Sequence, residues 1–160
     1  MRLILAAVGK LKDVEERGIC ERYAKRLAVS GRGIGLGPLD IIELIESRAE
    51  AVDVRKADEA SRLAKAAGPA AVRIALDENG KTLTSDAFAR MLSKHADSGT
   101  KCCAFLIGGP DGHGADVLAN AQLRLSLGAM TLPHGLARIV LIEQLYRAAT
   151  ILSGHPYHRV

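Results

Sequence analysis

The sequence predicts an α/β fold in one domain: a parallel sheet flanked by helices on both faces. Two observations lead there. Short apolar runs of strand length alternate along the chain with longer segments of helical period, the pattern left by strands that are joined through helices. No internal repeat, low-complexity tract or linker interrupts the 160 residues, a length that suits one domain with a real core. In such sheets ligands gather beyond the carboxyl ends of the strands, so chemistry is expected in the loops that leave those ends.

The elements follow in order. Leu3 to Val8 is a short apolar run closed by Gly9, a buried strand by length and punctuation. Asp13 to Val29 has helical period, with Ile19, Tyr23 and Leu27 four apart on one face. Lys10, Lys12, Arg17, Arg22, Lys25 and Arg26 make this end basic, either as a solvated face or as a surface for phosphates. Ser30 to Pro38 alternates glycines at 31, 33, 35 and 37, which favours a mobile loop over a fixed element. Leu39 to Ile45 reads as the second strand and Ala49 to Ala67 as the second helix. Ala71 to Leu76 is a third strand ending in the turn sequence Asp77-Glu78-Asn79-Gly80. Ser85 is expected to cap a helix over Asp86 to His95. Lys101 to Ile107 is a fourth strand, Leu123 to Met130 a fifth, and Leu136 to Ser153 the last helix.

Composition narrows the class. With 48% hydrophobic and 25% charged residues the chain is ordinary for a globular protein, and no apolar run approaches the roughly 18 residues of a membrane span. The apolar N-terminus turns charged at once and lacks a convincing cleavage site, so it reads as a strand and not a leader. Cys20, Cys102 and Cys103 are an odd count without CxxC spacing. That pattern fits a reduced cytoplasm better than a disulfide framework or a zinc site. A net charge of +4 permits an anionic partner without requiring one, and 3% aromatic residues leave few stacking platforms. The single glycine of VGKLKD after the first strand falls short of a GxGxxG fingerprint.

Three loops leave the carboxyl ends of the expected strands: Leu76-Asp77-Glu78, Gly108 to Gly112, and Gly128 to Gly135. A Gly-Gly-Pro turn lets backbone approach a ligand closely. The loop GAMTLPHG can offer backbone groups to an adenine edge, with Met130 and Leu132 as walls, or can be a plain connection. The last helix is apolar over most of its circumference and must be covered on several sides. A 160-residue monomer has few elements left to cover it, which predicts a homodimer. Glu143 and Arg147 on it are spaced i,i+4, either an exposed pair worth a few tenths of a kcal/mol or a face turned to substrate. The tail brings together His155, Pro156, Tyr157, His158 and Arg159, a set suited to base stacking and phosphate contact. His155 and His158 lack a third nearby ligand, so no metal is expected.

IGGPDG, LSLGAMTLPHGLARIVLIEQLYRA and the terminal HPYHR resemble the RlmH family of bacterial 23S rRNA pseudouridine-N3 methyltransferases, within the SPOUT superfamily. VGKLKD, LGPLDIIEL and LDENGKTLTSDAFA extend the resemblance along the whole chain. The departures are local: Glu59-Ala60 where Glu-Gly is common, the extra glycines of Gly112-His113-Gly114 and Gly135, and Val160 at the end. The resemblance implies a C-terminal trefoil knot, a homodimer, and S-adenosylmethionine held by Leu76, Gly109, Gly128, Ala129, Met130, Thr131, Leu132 and Pro133. It implies as substrate a pseudouridine of 23S rRNA in the assembled 70S ribosome, and no membrane partner. Transfer to N3 requires loss of the imide proton. His155, Tyr157, His158 and Glu143 are the candidates for handling that proton, and Arg147 or Arg159 for holding the anion or a phosphate. Tyr157, His158 and Arg159 are expected to place the base, with His134 orienting the cofactor loop. A tRNA methyltransferase of the same superfamily and a non-catalytic ribosome-binding factor are the alternatives.

Overall fold

The structure is a computed structural model that describes residues 1–70 and 72–158, with the backbone alone at His158. Ala71, the expected start of the third strand, and the tail positions Arg159 and Val160 lie outside the described residues. Among the described residues five strands run β1 Arg2–Val8, β2 Leu39–Leu44, β3 Val72–Thr82, β4 Cys102–Ile107 and β5 Leu123–Ser126. Between them stand α1 Val14–Ser30, α2 Val52–Ala67, α3 Ser85–Asp97, α4 Ala115–Asn120 and α5 His134–Leu152. Every strand pairing is parallel, in the order β2-β1-β4-β3-β5.

The alternation of strand side chains divides the core in two. From β1, Leu3, Leu5 and Ala7 enter the layer of α1, α3 and α5, while Ile4, Ala6 and Val8 enter the layer of α2 and α4. Both faces are covered, which is why the strand reads as an unbroken apolar run. No helix among the described residues is long and apolar enough to cross a membrane.

Several expectations are corrected. The segment after α1 is fixed: Arg32–Ile34 is a short 3₁₀ turn, and the amides of Gly31, Leu36 and Gly37 donate to Leu27 O, Gly31 O and Met1 O. Backbone pairing supplies what the glycine spacing could not reveal. The cap of α3 is Thr84, whose hydroxyl accepts from the Ala87 amide, one residue before the expected Ser85. The last strand stops at Ser126, because Gly128 and the residues after it turn out of the sheet. The short helix α4 carries too few apolar positions to announce itself.

The last helix is also covered differently. Helices α1 and α3 pack along its sides over the sheet, and Leu141, Ile142, Leu145, Tyr146, Ala148, Ala149 and Thr150 are buried within one chain. Its apolar circumference is therefore largely satisfied without a second subunit, and the reason given above for a homodimer falls away. Near its start, the buried Arg138 donates to Val8 O, Gly9 O and Glu43, and so ties α5 to the ends of β1 and β2.

Candidate active site

The carboxyl ends of β3, β4 and β5 converge on one cleft. Asp77 to Gly80 does not end β3 as a turn would. The strand makes an excursion there, so that Leu76 and Lys81 both stand opposite Leu125 of β5. Asp77 holds the excursion in place, accepting from Arg124 of β5 at 2.8 and 3.0 Å and from the Asn79 amide at 2.9 Å. Gly80 lies against β5 so closely that a Cβ would stand 2.7 Å from the Arg124 carbonyl. Only glycine fits that approach.

The second loop, Gly108 to Gly112, follows β4 and folds on itself, the Gly112 amide donating to Gly109 O at 2.9 Å. Helix α2 braces it from behind. Arg55 donates to Asp111 at 2.7 Å and to the carbonyls of Ala49 and Glu50, so one guanidinium joins two loops. That hydrogen bond holds the Asp111 carboxyl below its ordinary range. One turn further, Glu59 accepts from the Ser47 amide at 3.0 Å and presses its second oxygen against Gly109. In the third loop the Ser126 hydroxyl donates to Gly128 O at 2.9 Å before the chain crosses to α5.

The cleft has a volume of about 490 Å³, within the range of small-molecule sites. Of the eight residues assigned to the cofactor, Leu76, Gly109, Gly128, Met130, Thr131 and Leu132 line it, as does His134. Ala129 and Pro133 belong to the same loop but do not line the cleft. Met130 is 82% exposed, an apolar side chain held at the mouth. The wall that sequence reasoning passed over is His113. Its Nε2 stands 3.2 Å from Leu106 O, and Nδ1 is buried without a partner. Burial pushes its pKa down, so the ring is neutral around pH 7.

The residues assigned to proton transfer gather elsewhere. Glu143 accepts from Arg147 Nε at 3.0 Å and Nη2 at 2.8 Å, from Gln144 at 2.7 Å and from the Tyr157 hydroxyl at 3.1 Å. Tyr157 packs on Tyr146 with ring centroids 4.6 Å apart, and the Arg147 guanidinium lies 5.1 Å from the Tyr157 centroid. Glu143 and Arg147 are thus no exposed pair but a half-buried node that ties the tail down. Burial, then hydrogen bonds to Tyr23 and Glu143, push the Tyr157 phenol up. It is a donor here and does not ionise readily. His155 is exposed, its Nδ1 accepting from the Tyr157 amide at 3.2 Å. The side chain of His158 and all of Arg159 fall outside the described residues.

Of the described candidates, Glu143, Arg147, His155 and Tyr157 do not line the cleft. Their node, Glu143, lies at the middle of α5, nine residues or ~14 Å along the axis from His134 at the cleft. On α1, Arg26 stacks over Tyr23 and Tyr146, so one member of the basic set is a packing residue at the tail. Arg55, Glu59 and His113 are what the sequence reading missed. Glu59 left a signal: it shares the buried stripe of α2 with Leu63 and Ala67, where an acid is out of place.

Comparison with known proteins accords with this architecture. A family model described as predicted SPOUT methyltransferase matches residues 1–158. A protein of Brucella anthropi named ribosomal RNA large subunit methyltransferase H is 46% identical over 159 residues, covering 99% of each chain. A protein of the same name from Rhizobium meliloti is 48% identical over 159 residues with the same coverage. One from Rhizobium leguminosarum is 46% identical over 160 residues, all of both chains.

Proposed function

Because the chain belongs to the SPOUT methyltransferase family, we propose that it methylates N3 of a pseudouridine in the large-subunit ribosomal RNA of the assembled ribosome, with S-adenosylmethionine as donor. The observation that carries this reading is the convergence of three loops, from β3, β4 and β5, on one cleft of about 490 Å³ in a chain that matches its relatives end to end.

The residues present fit that donor. Leu76, Ile107, Leu127 and Leu132 give apolar surface for a purine, and the glycines at 108, 109 and 128 leave backbone groups open to its polar edges. The loop closes tightly at Gly108, where a Cβ would fall 2.9 Å from the Gly112 backbone, so the cradle depends on a missing side chain. When bound, the donor supplies an electrophilic methyl carbon on a sulfonium. The chain must orient the acceptor nitrogen toward it and take up the imide proton. Tyr157 and Glu143 are already engaged with each other, so we assign the proton to the tail histidines, His155 and His158, with Arg159 beside the developing anion.

The tail leaves the far end of α5 and its described part reaches back, through the Tyr157 hydroxyl, only to Glu143 at mid-helix, nine residues or ~14 Å along the axis from His134 at the cleft. If the tail acts in catalysis, a second copy must bring its tail to the first copy's cleft. This geometry, and not the cover of α5, supports a homodimer. The knot belongs to the same proposal, which the all-parallel order with β5 at the edge accommodates. A cytoplasmic location follows from a ribosomal substrate.

The test is methyl transfer from tritiated S-adenosylmethionine to ribosomes lacking the modification, beside free rRNA and bulk tRNA. Label confined to the large-subunit RNA of intact ribosomes is the expected result. Label in tRNA would move the substrate and keep the chemistry. No label and no bound donor would leave a ribosome-binding factor.

A further inference from the structure

Among the described residues, Glu59 is the one acidic side chain that is buried, at 5% exposure. Its Oε1 takes the Ser47 amide, and its Oε2 has no partner. Taking a carboxylate out of water costs several kcal/mol unless opposite charge or hydrogen bonds compensate, and one amide is a poor exchange. The other carboxylates of the cleft are accounted for. Asp77 is paired with Arg124, Asp111 with Arg55, and Glu78 is exposed to water. Lys56 lines the cleft, and Arg55 feels the charge of Glu59, but Arg55 pairs with Asp111.

The place of the unpartnered oxygen matters. It lies 2.6 Å from the point that a Cβ on Gly109 would occupy, so it fills the space that glycine leaves open. Gly109 lines the cleft. The charge is therefore one backbone thickness behind the wall against which a ligand would lie, screened by protein and not by water. At such short range through a medium of effective dielectric near 20, a unit charge changes affinity for an opposite charge by about tenfold or more.

The structure assigns to Glu59, on the buried oxygen seated against Gly109, the role of a fixed counter-charge that makes the cleft prefer a cationic donor to its neutral product. The inference rests on the cofactor reading above and deepens it. S-adenosylmethionine carries a sulfonium, an ammonium and a carboxylate, a net charge of +1. S-adenosylhomocysteine, left after the methyl group departs, has a neutral thioether and a net charge of zero. The two differ by that methyl and that charge. A carboxylate behind the wall holds the first more tightly and favours release of the second. Glu59 touches neither ligand in this account and acts through the field at Gly109, as a positioning residue.

Calorimetric titration of the full chain with S-adenosylmethionine and, separately, S-adenosylhomocysteine tests this. The unaltered protein is expected to bind the cationic donor several-fold more tightly. Equal affinities, or tighter binding of the product, overturn the assignment without any variant. In Glu59→Gln, which keeps the shape and the acceptor for Ser47, the preference should shrink by about five- to tenfold, mostly through loss of donor affinity. Glu59→Asp keeps the charge and should restore part of the preference. An equal weakening of both ligands in Glu59→Gln would mean that Glu59 only holds the loop, and the assignment fails. If the unaltered protein bound neither ligand, the cofactor reading itself would fall, and that outcome is distinct from equal binding of both.

Discussion

Arg138 carries a positive charge at 3% exposure and spends it on three acceptors from two strands: Val8 O, Gly9 O and Glu43. Replacing it with methionine keeps much of its volume but strands Glu43 and two carbonyls. Urea unfolding should then show a loss of about 3 to 5 kcal/mol. Glu43→Gln should cost less, since Glu43 is partly exposed and also takes the Leu11 amide. His113 makes a pH prediction. Its folded pKa lies below the ordinary value, so the unfolded chain takes a proton first as pH falls. His113 therefore contributes stability that is complete above about pH 6.5 and is lost below it, by up to about 1.4 kcal/mol per pH unit until the buried ring also protonates. Unfolding midpoints at pH 7.5 and 5.5 should differ less in His113→Phe than in the unaltered protein. Neither residue was legible in the sequence, because Arg138 reads as one polar position in an apolar helix and His113 as a loop residue. Their partners include backbone atoms 130 and 7 residues away.

At the level of elements, strands and long helices were legible, since burial on both faces writes itself as apolar runs and helical period. The β3 excursion was not. Asp-Glu-Asn-Gly is turn chemistry, and the chain does bend there, yet Lys81 and Thr82 then resume pairing with β5. Local propensity placed the bend, and only the partner strand decides whether pairing continues beyond it. Asp77→Ala should release the excursion from Arg124 and weaken donor binding while leaving the unfolding midpoint nearly unchanged. Titration calorimetry beside urea unfolding separates the two. The tail is the other case: a segment read as a set for base stacking and phosphate contact has Tyr157 packed against Tyr146 and hydrogen-bonded to Glu143. Tyr157→Phe keeps the ring stack and removes the hydroxyl, at a cost of about 1 kcal/mol. Deleting residues 156–160 should abolish methyl transfer while leaving the sheet and cleft folded. Retained transfer in a folded, deleted protein would remove the tail from the chemistry.

The whole molecule keeps the described part of the tail off the cleft, anchored at Glu143 midway along α5, and that separation carries a prediction of its own. A chain with a distorted cleft (Gly109→Val, whose side chain meets Glu59 and Val8 behind the wall and pushes the loop out of place) and a chain without its tail should each be inactive alone. Unfolded together and refolded as a mixture, they should regain about a quarter of normal transfer, because half the dimers are mixed and each of those keeps one intact cleft opposite one intact tail. No recovery would confine the site to a single chain. The sheet order has a consequence for how the protein is made. The interior strand β1 pairs with β4, and Arg2 stands opposite Cys102, so β1 on leaving the ribosome lacks one neighbour until some hundred more residues have been joined. Until then β1 can pair with β2 alone and leaves its other edge open. Non-local pairing of this kind is slow to form. A nascent chain stalled between α2 and β4 would display an apolar edge to its neighbours, so synthesis of this protein should depend more on factors that shield emerging chains than its modest size suggests.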